Sequence, residues 1–96
     1  MNIARPVDGF RITWPPTVAA LIDSQNAVNP NFQRYWDDVI ERLKFTAHRE
    51  GTPEPRLGKG YKLIVINGIQ SEGRPRLAIG YLVLGDHVKI TLLRIS

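Results

Sequence analysis

The stretch RLGKGYKLIVI, residues 56–66, sets three cations among glycines directly before an apolar run. The cations are Arg56, Lys59 and Lys62. A glycine-rich basic loop can hold phosphate, because exposed backbone N–H groups and a cationic side chain both favour an anion. This run lacks the GxxxxGK[ST] pattern of a nucleotide P-loop and follows a helix and a linker instead of a strand. We therefore expect a mobile basic lip beside a sheet, with a solvated strand entry as the alternative.

Positive charge is concentrated in the second half of the chain. Residues 1–55 carry six Lys/Arg and seven Asp/Glu, a balance of −1, whereas residues 56–96 carry seven Lys/Arg and two Asp/Glu, a balance of +5. The two balances add to the net charge of +4. Such asymmetry favours an anionic partner, either nucleic acid or an acidic protein segment. A mildly basic soluble domain is the alternative.

The composition excludes several classes of protein. There are no cysteines, so disulfide frameworks, thiolate metal sites and cysteine nucleophiles are excluded. The two histidines, His48 and His87, show no metal-ligand spacing, so neither a metal nor a cofactor is expected. No apolar run approaches the roughly 20 residues of a membrane span, and the opening MNIARPVDGF has no hydrophobic signal region. We expect one soluble cytoplasmic domain, residues 1–96, without a membrane partner.

Two helices are predicted from proline positions and from helical periodicity. Residues 10–14 alternate as a short strand, Pro15-Pro16 ends it, and Pro16 can open a short helix before the polar, turn-like residues 24–29. A longer helix follows Asn29-Pro30 and ends before Gly51. Its apolar face comprises Phe32, Tyr35, Trp36, Val39, Ile40, Leu43 and Ala47. His48 in its last turn fits a helix-end cation better than a catalytic base.

Three strands complete the predicted fold, at residues 61–67, 76–84 and 87–95. Gly85-Asp86 suits a type II′ turn, which pairs Leu84 with His87. Regular pairing outward from that turn places Leu77, Ile79, Tyr81, Val83, Val88, Ile90 and Leu92 toward the helices, and Arg94 near the core edge. The predicted class is α+β, with two helices on one face of a mainly antiparallel four-stranded sheet in the order β-α-α-β-β-β.

Three segments of this chain resemble the RelE/ParE superfamily of toxins from bacterial toxin–antitoxin pairs. They are FRITWPPTVAALID, FQRYWDDVIERLKFTAHREGTPEPRLGKGYKL and PRLAIGYLVLGDHVKITLLRI. The likeness covers most of residues 10–95 and lies in the order of elements, a Leu-Gly pair before a Tyr-Lys strand start, and an arginine leading the next strand.

The resemblance implies a cognate antitoxin as partner and one of two targets. RelE-like members cleave messenger RNA at the ribosome, and ParE-like members inhibit DNA gyrase. The nuclease branch needs no metal, because cationic side chains hold the phosphate while the 2′-hydroxyl of the RNA attacks. The alternative is a non-catalytic binding or inhibitor module that uses the same face on a protein partner.

The resemblance also assigns residues on the sheet face away from the helices. Lys62 and Arg76 match basic positions at the starts of two strands and are the catalytic candidates. Both lie on that face if Tyr61, Leu63 and Val65 point inward. The candidates for RNA binding are Lys59, His87 and Lys89, although a histidine beside a hairpin turn is more often simply solvated. The family's C-terminal tail, which commonly supplies a further arginine and an acid–base residue, would follow Ser96.

Apolar residues are predicted on the same face as these cations. They are Ile64, Ile66, Leu82 and Leu93, and Ile64 stands two residues after Lys62, where nucleases of the family often carry a further cation. A mixed apolar and basic patch often binds a partner. An antitoxin segment or self-association into a homodimer would use both kinds of residue, whereas nucleic acid would use only the cations. A solvated sheet face is the remaining alternative.

Overall fold

The computed structural model describes residues 8–96 and shows two helices and five strands. The helices are α1 (Pro16–Val28) and α2 (Phe32–Thr46), and the strands are β1 (Arg11–Thr13), β2 (Thr52–Pro53), β3 (Lys62–Ile66), β4 (Leu77–Leu84) and β5 (His87–Ile95). Short 3₁₀ turns lie at Pro55–Leu57 and Gln70–Glu72. The expectation about a signal region rests mostly on residues 1–7, which lie outside the described residues.

The sheet has the strand order β1-β5-β4-β3-β2. β1 pairs with β5 in parallel, and the other neighbours are antiparallel. The predicted α+β class with two helices and a mainly antiparallel sheet is therefore confirmed, but the count of four strands is wrong. The additional strand, β2, lies inside the segment predicted as a linker. It consists of two residues and contains Pro53, which an edge strand tolerates because its outer side needs no ladder hydrogen bond.

α1 is longer than the predicted short helix. It continues through residues 24–28, which contain no glycine or proline to interrupt it. Its last residue is Val28, and the following Asn29 is extended at φ −132° and ψ 102°. The residue before a proline avoids the helical region, so Pro30 ends α1 more effectively than the polar residues before it.

The apolar face of α2 forms the centre of the core, as predicted. Phe32, Tyr35, Trp36, Val39, Leu43 and Ala47 are buried, and Ile40 is half-buried. Asn29 begins the turn into α2, because its Oδ1 accepts a hydrogen bond from the Asn31 N–H at 3.1 Å. Trp36 also contacts the half-buried Trp14 edge to face, with the ring centroids 5.4 Å apart.

The β4–β5 hairpin has the predicted turn. Leu84 pairs with His87, and Gly85 has φ +59°. Because no non-glycine residue among residues 8–96 has a positive φ, Asp86 has a negative one, which excludes a type I′ turn and fits type II′. Register next to the turn was therefore predictable from the two-residue loop alone.

Candidate nucleic-acid interface

Every strand of the sheet presents one side to α1 and α2 and the other side away from them. We name the second side the outer face. Its residues, assigned from pairing and alternation, are Arg11, Thr13, Leu63, Val65, Ala78, Gly80, Leu82, Leu84, His87, Lys89, Leu92 and Arg94, with Arg76 just before β4. The predicted faces are correct for β4 and for the first half of β5, and wrong for β3 and for the end of β5, whereas no face was predicted for β1.

β3 faces the opposite way from the prediction. Lys62, Ile64 and Ile66 pair with Tyr81, Ile79 and Leu77, whose side chains point to the helices. Ile64 is only 6% exposed, and Ile66 packs half-buried against the core. The prediction that these three residues lie on the exposed face is therefore wrong. Leucine or valine alternates with isoleucine in this strand, so the apolar pattern did not distinguish its two sides.

The ammonium group of Lys62 lies at the C-terminal end of α2. Its Nζ donates hydrogen bonds to the carbonyl oxygens of His48, at 3.0 Å, and Glu50, at 2.9 Å. Carbonyls that follow a helix lack intrahelical partners and carry the negative end of its dipole, so a cation is favoured there. Lys62 is thus engaged by backbone, and a phosphate would have to displace two hydrogen bonds to reach it.

The hydroxyl of Tyr81 reaches the same carbonyl cluster. Its oxygen lies 2.9 Å from Ala47 O and 2.8 Å from Glu50 O, and its single O–H is shared between these two acceptors. Burial, and next the negative charge of Glu50, raise the pKa of Tyr81 well above its ordinary value, so this hydroxyl stays protonated. Tyr81 and Lys62 together hold the segment after α2 against β3 and β4, which is a structural task.

A β-bulge reverses the end of β5. Tyr81 pairs with Ile90 while Gly80 pairs with Leu92, so Thr91 is an extra residue in β5. Beyond it, Leu93 is 4% exposed among core residues, and Arg94 pairs with Ala78 on the outer face. The predictions that Leu93 is an exposed partner-binding residue and that Arg94 lies on the core side are both wrong.

The outer face carries four cations that have no acidic partner. Arg11, Arg76, Lys89 and Arg94 are all exposed, and none forms an ion pair within residues 8–96. The outer-face residues named above include no Asp or Glu. By contrast, Arg42, Lys44, Arg56 and Arg74 each pair with a carboxylate elsewhere. Exposed Arg34 and Arg49 also lack an ion pair within residues 8–96, so what distinguishes the outer face is that four unpaired cations share one surface with no carboxylate among its residues.

His87 lies beside these cations and is held by β1. Its Nε2 is 2.6 Å from Thr13 Oγ1, and the ring is half-buried. This contact orients the imidazole within the row that Arg11 and Lys89 continue. The placement agrees with the predicted position of His87, and its role in binding RNA stays a prediction.

The turn after β2 folds over the outer face. Leu57 packs down onto Gly80, where a β-carbon would lie 2.7 Å from Leu57 Cδ1. Glycine at this position therefore lets the turn approach the sheet closely. Between them lies an open cavity of about 410 Å³, lined by Glu54, Arg56, Leu57, Leu63, Ala78, Leu92 and Arg94.

The glycine-rich run of residues 58–60 forms the rim of this face. A β-carbon at Gly60 would lie 3.2 Å from Leu82 Cδ1, so the loop lies against the outer face. Lys59 is exposed there, and half-buried Tyr61 follows on the outward side. Leu82 is the one residue of the predicted apolar set Ile64, Ile66, Leu82 and Leu93 that lies on this face.

The chemistry available on the outer face is binding of a polyanion. Guanidinium and ammonium groups can hold phosphate oxygens, and arginine can do so with two parallel hydrogen bonds. Within residues 8–96, no three His, Asp or Glu side chains gather where they could hold a metal ion. His48 is not part of the outer face: it follows α2 in the helix layer, where its ring centroid lies 5.6 Å from that of Phe10.

Two interface residues were missed by sequence reasoning. Arg11 stands between the inward residues Phe10 and Ile12, and that alternation was enough to place it on the outer face. Arg94 had no such signal, because its orientation depends on the bulge at Thr91.

Comparison of this chain with protein-family profiles, characterised proteins and solved structures finds no significant match. Neither helix of the described part, residues 8–96, is long and apolar enough to cross a bilayer.

Proposed function

We propose that this chain is a toxin of the RelE/ParE kind that binds single-stranded RNA at the ribosome through its outer face. One observation carries the proposal: Arg11, Arg76, Lys89 and Arg94 share that face and lack acidic partners within residues 8–96. Support for the toxin setting comes from the resemblance of residues 10–95, and from an α+β architecture that agrees with it.

Single-stranded RNA suits this face better than a duplex. Arg11 and Lys89 lie on neighbouring strands, whose separation is about 4.8 Å, so the cations form a row that a flexible backbone can follow. Around them lie exposed Leu84 and half-buried Leu82 and Tyr61. Apolar and aromatic side chains beside a basic groove offer contacts to unstacked bases, which a duplex does not expose.

The proposed activity is binding rather than cleavage. The predicted catalytic pair was Lys62 and Arg76, and the Lys62 ammonium is engaged by two backbone carbonyls. Arg76 remains available to hold a phosphate. Occupying the messenger path at the ribosome would by itself inhibit translation, with no bond broken.

The direct test measures the affinity of a labelled single-stranded RNA by fluorescence anisotropy. Arg11→Gln and Arg94→Gln each remove one outer-face cation and should weaken binding by about 3- to 10-fold. Arg34→Gln is the matched control, because Arg34 is exposed on α2, in the helix layer, and makes no ion pair within the described chain. Equal losses in all three variants would indicate nonspecific attraction and contradict the proposal.

The toxin part of the proposal has its own test. Induced expression of the chain should arrest bacterial growth and translation, and the double variant Arg11→Gln/Arg94→Gln should relieve the arrest at the same protein level. If the double variant still arrests growth, the toxicity does not depend on the outer face. RNA affinity without any arrest would support an RNA-binding module that is not a toxin.

A further inference from the structure

The C-terminal part of β5 is an open sheet edge. β1 pairs with β5 only at residues 87–89, and within residues 8–96 no strand pairs with this side of the following six residues. Ser96 exchanges both backbone hydrogen bonds with Arg76. Because such pairs alternate along antiparallel strands, Leu93 and Ile95 direct their N–H and C=O groups away from β4, toward the open side.

A groove runs along this open edge. Its other wall is α1, through Leu21, Ser24 and Gln25, and its volume is about 560 Å³. Leu21 is 43% exposed although it lies one residue before buried Ile22. No hydrogen bond joins the Ser24 or Gln25 side chain to β5 in the described chain, so α1 borders the edge without satisfying it.

The two sides of the groove differ in chemistry. Leu21, Leu93 and Ile95 line the side of the helix layer, whereas Arg76 and Arg94 line the outer side. Both arginines lack an acidic partner within residues 8–96. An added strand would point alternate side chains to these two sides. The occupant that fits is therefore an extended segment in which apolar and acidic residues alternate.

We propose that the open edge of β5 binds an acidic extended peptide by strand addition. The backbone groups of Leu93 and Ile95 pair with the peptide, its apolar side chains enter the groove beside Leu21, and its carboxylates meet Arg76 and Arg94. Strand addition satisfies edge groups that native sheets otherwise protect. The site shares Arg76 and Arg94 with the outer face, but its backbone pairing with Leu93 and Ile95 is a separate property, so it can be tested apart from the RNA proposal.

The probe is a blocked eight-residue peptide of alternating valine and glutamate, compared with a peptide of four valines followed by four glutamates. The alternating peptide should bind about tenfold more tightly or better. Only in that peptide do all valines point to the apolar side of the groove and all glutamates to the side of the arginines. Binding should slow hydrogen exchange at the Leu93 and Ile95 amides, while the amides of Arg94 and Ser96, which already face β4, change little. Equal affinity of the two peptides would overturn the proposal.

Two N-methylated forms of the alternating peptide give the sharper test. One form is methylated on the valine amides and the other on the glutamate amides. Along a strand the valine and glutamate amides point to opposite sides, so only one form loses its hydrogen bonds to β5. That form should lose at least about tenfold in affinity, and its identity reports whether pairing is antiparallel or parallel. If both forms bind alike, the peptide is not paired with the edge.

Variants of the protein complete the experiment. Arg94→Gln should lower the affinity for the alternating peptide several-fold, and Arg34→Gln on α2 should leave that affinity unchanged. If RNA instead of the peptide slows exchange at Leu93 and Ile95, the edge belongs to the RNA interface and the proposal fails. Failure of RNA binding alone leaves the peptide result unaffected, so the two proposals can fail separately.

Discussion

Among single residues, Lys62 shows how backbone carbonyls can hold a cation away from the outer face. The sequence places it in a basic run before a strand, which favours contact with an anion. In the folded chain its partner is the negatively polarised C-terminal end of α2, where the carbonyl oxygens of His48 and Glu50 accept hydrogen bonds from Lys62 Nζ. Lysine does bind negative charge here, as its sequence context predicts, but the partner is the backbone of the same chain.

Replacing Lys62 by methionine should lower stability without changing RNA affinity. The variant keeps most of the side-chain volume and removes two charge-assisted hydrogen bonds, at a cost of about 1–3 kcal/mol. Urea denaturation measures the loss, and Lys59→Met, at an exposed loop position, is the control that should scarcely change. A Lys62→Met variant that keeps its stability but loses RNA affinity would restore the predicted catalytic or binding role.

Glu50 should make the protein sensitive to acid. The hydrogen bonds from Arg42, at 2.9 and 3.0 Å, lower the pKa of this carboxyl below its ordinary value of 4.5. The unfolded chain therefore binds a proton at Glu50 more readily than the folded chain does. The stabilisation from the ionised Glu50 carboxylate is thus complete above about pH 4.5, and it is lost as the pH falls through the lowered pKa that Glu50 has in the folded state. Urea midpoints between pH 7 and pH 3 should fall more for the native chain than for Glu50→Gln. Glu41→Gln, at an exposed carboxyl with only a 3.6 Å contact to Lys44, should follow the native curve.

At the scale of the element, the bulge in β5 decides which residues belong to the core. Before Thr91 the strand follows the register set by the hairpin turn, and after it every side chain is reversed relative to a regular strand. The reversal brings Leu93 into the core and Arg94 onto the outer face. One inserted residue therefore changes both the packing and the candidate interface.

Alanine substitutions at neighbouring positions test this reversal. Leu93→Ala should cost about 2–5 kcal/mol, because Leu93 is almost fully buried and its removal leaves a cavity. Leu92→Ala should cost clearly less, because Leu92 is only half-buried on the outer face. Urea denaturation compares the two. A larger loss at Leu92 would mean that β5 is a regular strand without the bulge.

At the scale of the whole molecule, charge differs between the two layers. α2 carries three acidic and three basic residues and α1 carries Asp23, whereas the outer face of the sheet carries four cations and no carboxylate. The positive excess noted in residues 56–96 is thus part of a three-dimensional asymmetry to which Arg11, from the first half, also belongs. Such a field would orient a polyanion toward the sheet.

Salt dependence measures the number of cations that act together. If all four outer-face cations contact phosphates of single-stranded RNA, log K should fall against log salt with a slope of about −3, at about 0.7 per contact. Arg11→Gln/Arg94→Gln should reduce the slope to about half, and Arg34→Gln should leave it unchanged. A slope that the double variant does not alter would place the RNA elsewhere.

Local sequence patterns were sufficient to predict α2 with its buried face and the three long strands, although they missed β2 and the full length of α1. Apolar residues at helical spacing define one buried face of α2, and a two-residue turn with glycine first defines the hairpin register near Leu84 and His87. The same local signals placed Lys89 and Arg76 outward. These features depend on residues that are close in sequence, so they can be predicted without knowing what packs against them.

The orientation of β3 and of the end of β5 depends on contacts with residues distant in sequence. Leu63, Ile64, Val65 and Ile66 offer apolar side chains to both faces, so alternation gives no preference until α2 and β4 are in place. There Ile64 and Ile66 pack against the core and Lys62 reaches the helix-end carbonyls, so this side of β3 faces the helices. The bulge likewise depends on how β5 meets Gly80 and Tyr81 of β4. Both choices are made by partners distant in sequence, and they determine that Arg94 rather than Lys62 belongs to the candidate interface.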